Sequence, residues 1–208
     1  IREVLKYDTV ESITLVDLDA KITDLFSTNP MLTNLNQNAL LSPKVNIVSD
    51  DAFVWLEHSK EMFDFVAVDF PDPSNHSLGK LYTNSFYKLL KKHVSEQGII
   101  AIQSTSPFFA PRSYWCIART LESVGFQVSP YHTYVPSFGD WGFMIASQRP
   151  YHPPNTYPPD LKYLTPETAA AMFQFPKDMR AVDDLEINRL SNQILTQYFE
   201  AEWRQVVR

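Results

Sequence analysis

Short apolar runs alternate with helix-like stretches over the first 148 residues of this chain, and this alternation constrains its fold more than any other feature. The clearest runs are residues 13–17, 45–48, 65–69 and 98–103. Apolar runs separated by helices are typical of strands in a parallel sheet that helices cover on both faces. The sequence therefore predicts an α/β fold built around a parallel sheet.

The character of the sequence changes after residue 148. Seven of the fifteen prolines lie between Pro150 and Pro176, which indicates an extended segment without regular structure. Apolar residues at helical spacing return in residues 187–206 and predict a helix that packs against the rest of the protein. We therefore divide the chain into a domain of residues 1–148 and a Pro-rich crossing with a C-terminal helical extension, residues 149–208.

Charge and cysteine content restrict the possible partners. The formal net charge is −6, and Lys88, Lys91 and Lys92 are expected to form only the solvated face of one helix. Nucleic acid is therefore not an expected partner. The single cysteine, Cys116, cannot form an internal disulfide, and no run approaches the ~18 apolar residues of a membrane-spanning helix.

Acidic side chains follow three of the predicted strands. They are Asp17 with Asp19, Asp50 with Asp51, and Asp69 with Asp72. In open α/β sheets, ligands bind outside the carboxyl ends of the strands. We therefore expect one sheet to hold the strands that end at Asp17, Asp51, Asp69 and Gln103, with the acids along a shared crevice.

Two of these strand ends suit a nucleoside. A carboxylate at Asp17 is placed to accept hydrogen bonds from both ribose hydroxyls, whereas Asp19 better fits the N-cap of the next helix. Asp51 and Ala52 are candidates for holding an adenine base, with Phe53 or its neighbours against the ring. The alternative for Asp51 is that it only caps the helix that begins there.

The most specific segment is residues 63–73, FDFVAVDFPDP, which run from a strand into a loop. An ordinary strand-to-helix turn needs one capping residue, but this loop has two carboxylates, Asp69 and Asp72, and two prolines. Prolines stiffen a loop and fix where its side chains point. Two acids three residues apart in a rigid loop are suited to bind a cationic amine and to accept its proton.

This segment resembles the signature of the polyamine aminopropyltransferases (spermidine synthase family), an aromatic-Asp strand that runs into Asp-x-x-Asp-Pro. Four further segments are similar to the family: Val16-Asp17-Leu18-Asp19, Leu81-Tyr82, Gln103, and Val135-Pro136-Ser137-Phe138-Gly139-Asp140-Trp141-Gly142-Phe143. The resemblance covers residues 1 to about 148. The tail is similar to that of the long bacterial members, which carry predicted membrane helices ahead of the catalytic domain.

The resemblance implies a Rossmann-like fold of the S-adenosylmethionine-dependent methyltransferase type. It also implies transfer of an aminopropyl group from decarboxylated S-adenosylmethionine, a co-substrate, to a polyamine, with no tightly bound cofactor. Asp69 is then the base and amine anchor, while Asp72 and Gln103 bind the acceptor. The resemblance further implies a cytoplasmic domain, with the parent protein anchored upstream in the inner membrane. A sheet edge left uncovered by a missing first strand invites pairing with another chain, so we also expect a homo-oligomer.

Three departures from the family pattern bear on these expectations. Phe138 stands where spermidine synthases usually have tyrosine, so a hydroxyl that helps to hold the amine is lost. Asp140 and Trp141 are extra candidates for binding a longer acceptor. No glycine lies before Gly79, so the glycine-rich turn that opens a nucleoside site is missing. We therefore expect a sheet that is incomplete at its N-terminus, with an open edge, and a chain that is inactive in isolation.

Two alternatives stay open. One is an S-adenosylmethionine-dependent methyltransferase, although the carboxylate of its donor would be repelled by Asp69 and Asp72. The other is a non-catalytic family member whose fold serves as a binding or membrane-associated regulatory module.

Overall fold

The computed structural model describes residues 1–206 and divides into two compact units, Ile1–Lys60 and Glu61–Arg208. Residues 207 and 208 of the expected C-terminal extension lie outside the described part. The second unit contains the later strands together with the residues that follow position 148. The proposed division at residues 148 and 149 stays a prediction.

Strands and helices alternate, as the apolar runs predict. The strands are β1 Ile13–Asp17, β2 Val45–Ser49, β3 Phe63–Val68, β4 Val94–Gln103, β5 Gln127–Val135 and β6 Gly139–Ser147. The α-helices are α1 Ala20–Thr28, α2 Pro30–Leu35, α3 Ala52–His58, α4 His76–Gly79, α5 Asn84–Lys91, α6 Pro111–Glu122, α7 Pro166–Met172 and α8 Ile194–Val206. Single 3-10 turns occupy Val4–Lys6, Ala39–Leu41, Lys80–Tyr82 and Lys177–Met179.

The first unit is a parallel β1–β2 pair with helices after each strand. Asp17 at the end of β1 lies in register with Ser49 at the end of β2. The following helices begin at carboxylate caps: the Asp19 side chain accepts from the Lys21 amide, and Asp51 accepts from the Phe53 amide. Both acids therefore satisfy backbone donors that a helix start leaves open.

The second unit contains a four-stranded sheet in the order β3-β4-β6-β5. β3 and β4 run parallel, but β6 is antiparallel to both β4 and β5. The α/β class is therefore confirmed with a mixed sheet, and the expectation of a purely parallel sheet is wrong for these last strands. The reason is the three-residue turn of positions 136–138 between β5 and β6, because so short a connection joins only antiparallel neighbours.

The expectation that the four strand ends share one sheet is also wrong among the described residues. Hydrogen bonds to β1 come from β2, and those to β3 come from β4. Each of these two strands thus has one paired neighbour in the described chain and forms the edge of its own sheet.

The core of the second unit lies between its sheet and α6. Ile100 and Ile102 of β4 and Tyr114, Ile117 and Leu121 of α6 are fully buried. Burial of each such side chain contributes roughly 1.5–3 kcal/mol to folding. This packing holds the carboxyl end of β4, which carries Gln103, in a fixed place.

The C-terminal helix is shorter than its apolar pattern predicts. It begins at Ile194 and not at residue 187. Gln193 adopts a left-handed φ of 47°, and Asn188 forms hydrogen bonds to other parts of the chain. The buried Asn188 side chain donates to the Gly79 carbonyl at 3.1 Å, and the backbone carbonyl of Asn188 accepts from the Asn84 amide at 2.9 Å. The segment before α8 therefore fastens the extension to α4 and α5.

Helix α8 also caps another helix. The Glu202 carboxylate accepts from the Arg112 amide at 2.7 Å and from the Ser113 amide at 3.1 Å, at the start of α6, where Ala110 offers no capping side chain. None of the helices in residues 1–206 is long and apolar enough to cross a membrane.

Candidate active site

The loop after β3 carries the two carboxylates that the sequence singles out. Asp69 is exposed, whereas Asp72 is half-buried. Between them the Phe70 ring packs edge-on against Tyr82 and Phe86, with ring centroids 6.3 and 5.6 Å apart. Because Phe70 anchors the loop in the core, the two acids that flank it have defined positions.

Tyr82 fastens the same loop from the other side. Its hydroxyl lies 3.2 Å from the carbonyl oxygens of Phe70 and Pro71 and 3.4 Å from Gln103 Oε1, so that it can donate to each of them in turn. Burial raises the pKa of Tyr82, and the neighbouring charges of Asp72 and Asp69 raise it further. The phenol therefore remains protonated and acts as a donor.

Asp72 accepts hydrogen bonds from two residues at the end of β4 and just after it. Gln103 Nε2 donates to Asp72 Oδ1 at 3.1 Å, and Thr105 Oγ1 donates to Asp72 Oδ2 at 3.4 Å. Burial raises the pKa of Asp72, and this effect exceeds the lowering by the two hydrogen bonds. Asp72 is therefore an oriented carboxylate in surroundings that penalise its charge unless a cation binds there.

The predicted residue Phe138 lies in the turn between β5 and β6, and the predicted residue Asp140 lies at the start of β6. Phe138 is 59% exposed, and its ring packs against Trp141 at 5.0 Å between centroids. Asp140 Oδ1 lies 2.7 Å from His132 Nδ1. The backbone carbonyl of Asp140 accepts from Ser106 Oγ at 2.7 Å. Asp140 therefore neighbours the segment that contacts Asp72, but its carboxylate has an ionisable partner of its own.

The residues expected to bind a nucleoside lie in the first unit. Asp17 ends β1, and its Oδ1 accepts from the Asp19 amide at 2.8 Å. Asp51 accepts from the Phe53 amide at 2.9 Å, and Ala52 is the first residue of α3. The capping alternative for Asp51 is thus realised, although a carboxylate has acceptor sites for more than one donor.

In the second unit the structure joins Gln103 to Asp72, with Asp69 on the same loop as Asp72. It also adds residues that the sequence reasoning missed as site members. These are Tyr82, Thr105 and His132. A buried tyrosine needs a hydrogen-bond partner for its hydroxyl, and this requirement could have indicated that Tyr82 contacts a polar group of the site. Thr105 and His132 give no local signal, because their roles depend on strand pairing.

The chemistry of this arrangement is that of a cation site. Two carboxylates and an amide oxygen can accept hydrogen bonds, and the aromatic rings of Phe70 and Tyr82 pack against each other at the loop. Within residues 1–206, no group of three or more His, Cys, Asp or Glu side chains is placed to hold a metal ion. An organic ammonium group, which donates hydrogen bonds, fits these acceptors.

Comparison with known proteins finds a matching family domain and similar proteins. The Spermine/spermidine synthase domain matches residues 1–156. The Polyamine aminopropyltransferase of Leptospira interrogans is 51% identical over 207 residues, which cover 100% of this chain and 41% of that protein. Polyamine aminopropyltransferase 2 of Ralstonia nicotianae is 49% identical over 210 residues, which cover 100% of this chain and 41% of that protein. The chain thus spans about two fifths of the length of these relatives.

Two solved structures share the fold. Spermidine synthase from Thermotoga maritima superposes with a TM-score of 0.70 at 23% identity, over 86% of this chain and 63% of that one. A spermidine synthase in complex with the transition state analogue AdoDATO superposes with a TM-score of 0.72 at 24% identity, over 86% of this chain and 64% of that one. Since the family domain matches three quarters of the residues, this chain belongs to the spermine/spermidine synthase family.

Proposed function

We propose that this chain transfers an aminopropyl group from decarboxylated S-adenosylmethionine to a polyamine in the full-length protein. The observation that carries the proposal is the pair of acids on the loop after β3. Asp69 is open to solvent, while Asp72 is half-buried and bonded by Gln103 and Thr105. Membership of the spermine/spermidine synthase family supports the same reaction.

The reaction needs a base because the acceptor arrives protonated. An alkylamine has a pKa near that of lysine, ~10.4, so most of it is an ammonium ion at neutral pH and has no free electron pair. Asp69 binds this ammonium and accepts its proton. The amine nitrogen then attacks the carbon beside the sulfonium; the C–N bond forms, the C–S bond breaks, and its electron pair goes to sulfur, which leaves as methylthioadenosine.

The two carboxylates suit different tasks because their surroundings differ. Asp69 is exposed at the strand end and can exchange its proton with solvent after each turnover. Asp72 is oriented on both oxygens and binds an amino group of the acceptor, and Gln103 lines the same pocket. Pairs of carboxylates in unequal environments commonly divide catalytic roles in this way.

Phe138 and Asp140 are proposed to contact the distal part of the acceptor. The exposed Phe138 ring offers an apolar surface for methylene groups. Asp140 offers a carboxylate whose Oδ1 lies 2.7 Å from His132 Nδ1. A longer acceptor with a distal amino group fits this pair better than a short diamine does.

The nucleoside of the donor is proposed to bind in the first unit. Asp17 would accept hydrogen bonds from the ribose hydroxyls, while Asp51 and Ala52 would hold the adenine base. Decarboxylated S-adenosylmethionine is then a substrate, and no tightly bound cofactor is expected. Its missing carboxylate matters, because both substrates are cations and the acids lower the cost of bringing them together.

Partners and location are also proposals. The edge strands β1 and β3, with the half-exposed Phe65 on β3, offer pairing surfaces, so a homo-oligomer is expected and light scattering would detect it. The family resemblance favours a cytoplasmic domain in a protein anchored upstream in the inner membrane.

The test is a paired transfer assay on the full-length protein. Decarboxylated S-adenosylmethionine and, separately, S-adenosylmethionine would be supplied with putrescine, spermidine or agmatine, and methylthioadenosine and methylated products measured. We expect methylthioadenosine from the decarboxylated donor only. Methyl transfer from S-adenosylmethionine, or binding of neither nucleoside by calorimetry, would contradict the proposal and favour a methyltransferase or a non-catalytic protein respectively.

A further inference from the structure

Thr105 has a backbone conformation that its residue type disfavours. Its φ is 59°, in the left-handed region where a β-branched side chain is an outlier. The residue is fully buried and comes two positions after Gln103, the last residue of β4. Such strain persists where the surrounding structure enforces it, and it points to a role for the residue.

The surrounding structure does enforce this conformation. The Gly142 amide donates to the Thr105 carbonyl at 2.7 Å, and the Ser104 amide donates to the Gly142 carbonyl at 3.0 Å. A Cβ on Gly142 would lie 2.3 Å from Tyr114 Cε2 and 2.7 Å from the Thr105 carbonyl oxygen. Only glycine therefore allows β6 to approach closely enough to fix Thr105.

The consequence of this conformation is a contact with the proposed acceptor site. Thr105 Oγ1 lies 3.4 Å from Asp72 Oδ2, while Gln103 Nε2 bonds the other oxygen at 3.1 Å. A carboxylate offers about four acceptor sites. Two of them are thus occupied by donors from one strand end, which fixes the plane of the carboxylate and leaves the other two for a ligand.

We propose that Thr105 is a positioning residue of the acceptor site: its enforced left-handed backbone keeps the hydroxyl on Asp72 Oδ2, so that Asp72 presents its remaining acceptor sites to an ammonium group in one orientation. This inference rests on the proposed function, in which Asp72 binds the amine. It adds a residue that does not itself contact the substrate.

The charge state of Asp72 gives the inference a specific signature. Burial raises the pKa of Asp72, whereas the hydrogen bonds from Gln103 and Thr105 favour its ionised form and lower that pKa. Tyr82 is a titratable neighbour of Asp72 and of Asp69, since the charges of both carboxylates raise its pKa. Loss of the Thr105 hydroxyl removes one of the two hydrogen bonds that lower the pKa of Asp72, so that burial raises this pKa further. Asp72 then becomes protonated, and loses its attraction for an ammonium, at a higher pH than in the wild type.

The test compares Thr105→Val, which keeps the size but removes the hydroxyl, with Thr105→Ser, which keeps the hydroxyl. Thr105→Ala also lacks the hydroxyl and has no branched Cβ, so it serves if valine is unstable at this φ. Thr133→Val is the matched control, because the Thr133 hydroxyl contacts Tyr163 at a half-buried position of β5. Spermidine binding to each full-length protein would be measured by calorimetry from pH 5 to pH 8, with thermal unfolding alongside.

We expect Thr105→Val and Thr105→Ala to weaken spermidine binding about tenfold, the effect of one lost hydrogen bond to a charged group. Their loss of binding at acid pH is expected to begin at a higher pH than in the wild type. Thr105→Ser and Thr133→Val should bind within twofold of the wild type with an unchanged pH dependence.

Three results would overturn the inference. Equal binding by the wild type, Thr105→Val and Thr105→Ala would show that the hydroxyl is not needed. Weak binding by Thr105→Ser equal to that of Thr105→Val would assign the effect to packing alone. A wild-type protein that binds no polyamine would overturn the proposed function as well, whereas the first two results leave that function intact.

Discussion

The side-chain amide of Gln103 donates to Asp72 across 3.1 Å and so ties the end of β4 to the loop after β3. The same amide accepts from the Tyr82 hydroxyl through its oxygen, at 3.4 Å. Gln103 therefore has one orientation, with its nitrogen toward the carboxylate. Asp72, oriented in this way, is the feature on which the proposed amine site depends.

The first prediction concerns the stability of the protein as pH changes. Burial raises the pKa of Asp72 in the folded protein, so the folded state binds a proton more readily than the unfolded state does. The stabilisation from that proton is complete below the unfolded value, about 3.9, and is lost as pH rises through the folded value. At neutral pH the ionised Asp72 therefore lowers the free energy of unfolding.

Asp72→Asn removes this charge. We expect the variant to unfold at higher urea concentration than the wild type at pH 7, and this difference should shrink as pH falls toward 4. Asp64→Asn, on the exposed side of β3 and bonded to Ser95, is the control and should show no such trend. A variant less stable than the wild type at pH 7 would contradict the prediction.

The second prediction concerns the cap that α8 provides to α6. Glu202→Ala leaves the Arg112 and Ser113 amides without their acceptor. Loss of a helix cap costs about 0.5–2 kcal/mol, and we expect a value near the upper end because two amides are affected. Urea unfolding measures it.

Glu200→Ala is the matched control on the same helix. Glu200 pairs with the largely exposed Arg204, and exposed pairs contribute only about 0–1 kcal/mol. Equal destabilisation by the two variants would show that Glu202 does not act as a cap.

The sequence was informative where structure is local. The acids on the loop after β3 follow from neighbouring residues, and they lie where they were expected. The contacts of Asp72 with Gln103 and Thr105 join residues more than thirty positions apart, so strand pairing had to be known first. The predicted start of the last helix at residue 187 was wrong for a similar reason, because Asn188 forms a hydrogen bond to the distant Gly79.

The third prediction concerns His132, which joins the β5–β6 hairpin to the segment after α7. Its Nδ1 faces Asp140 Oδ1 at 2.7 Å, and its Nε2 faces the Gln174 carbonyl at 2.9 Å. Both partners are acceptors, so the ring satisfies both when each nitrogen carries a proton. Glutamine offers a single amide group and cannot reach both.

We therefore expect His132→Gln to lower the free energy of unfolding by about 1–2 kcal/mol and to raise the KM for spermidine more than that for putrescine, because Asp140 loses its partner. The matched substitution His152→Gln lies at an exposed position of the Pro-rich crossing and should change neither quantity. Unchanged stability and equal KM values in His132→Gln would contradict this account.

The most direct test of the central claim is the turnover of Asp69→Asn in the full-length protein. Asparagine keeps the shape of the side chain but removes its charge and its basicity, so loss of general-base assistance should lower kcat roughly 10²- to 10⁴-fold. Methylthioadenosine binding should change little, because Asp17 and Asp51 are proposed to hold the nucleoside. Asp64→Asn, the same substitution at another acid of this segment, should keep wild-type turnover. With aminopropyl transfer to the preferred acceptor as the readout, an Asp69→Asn turnover within threefold of the wild type would contradict the assignment of Asp69 as the base.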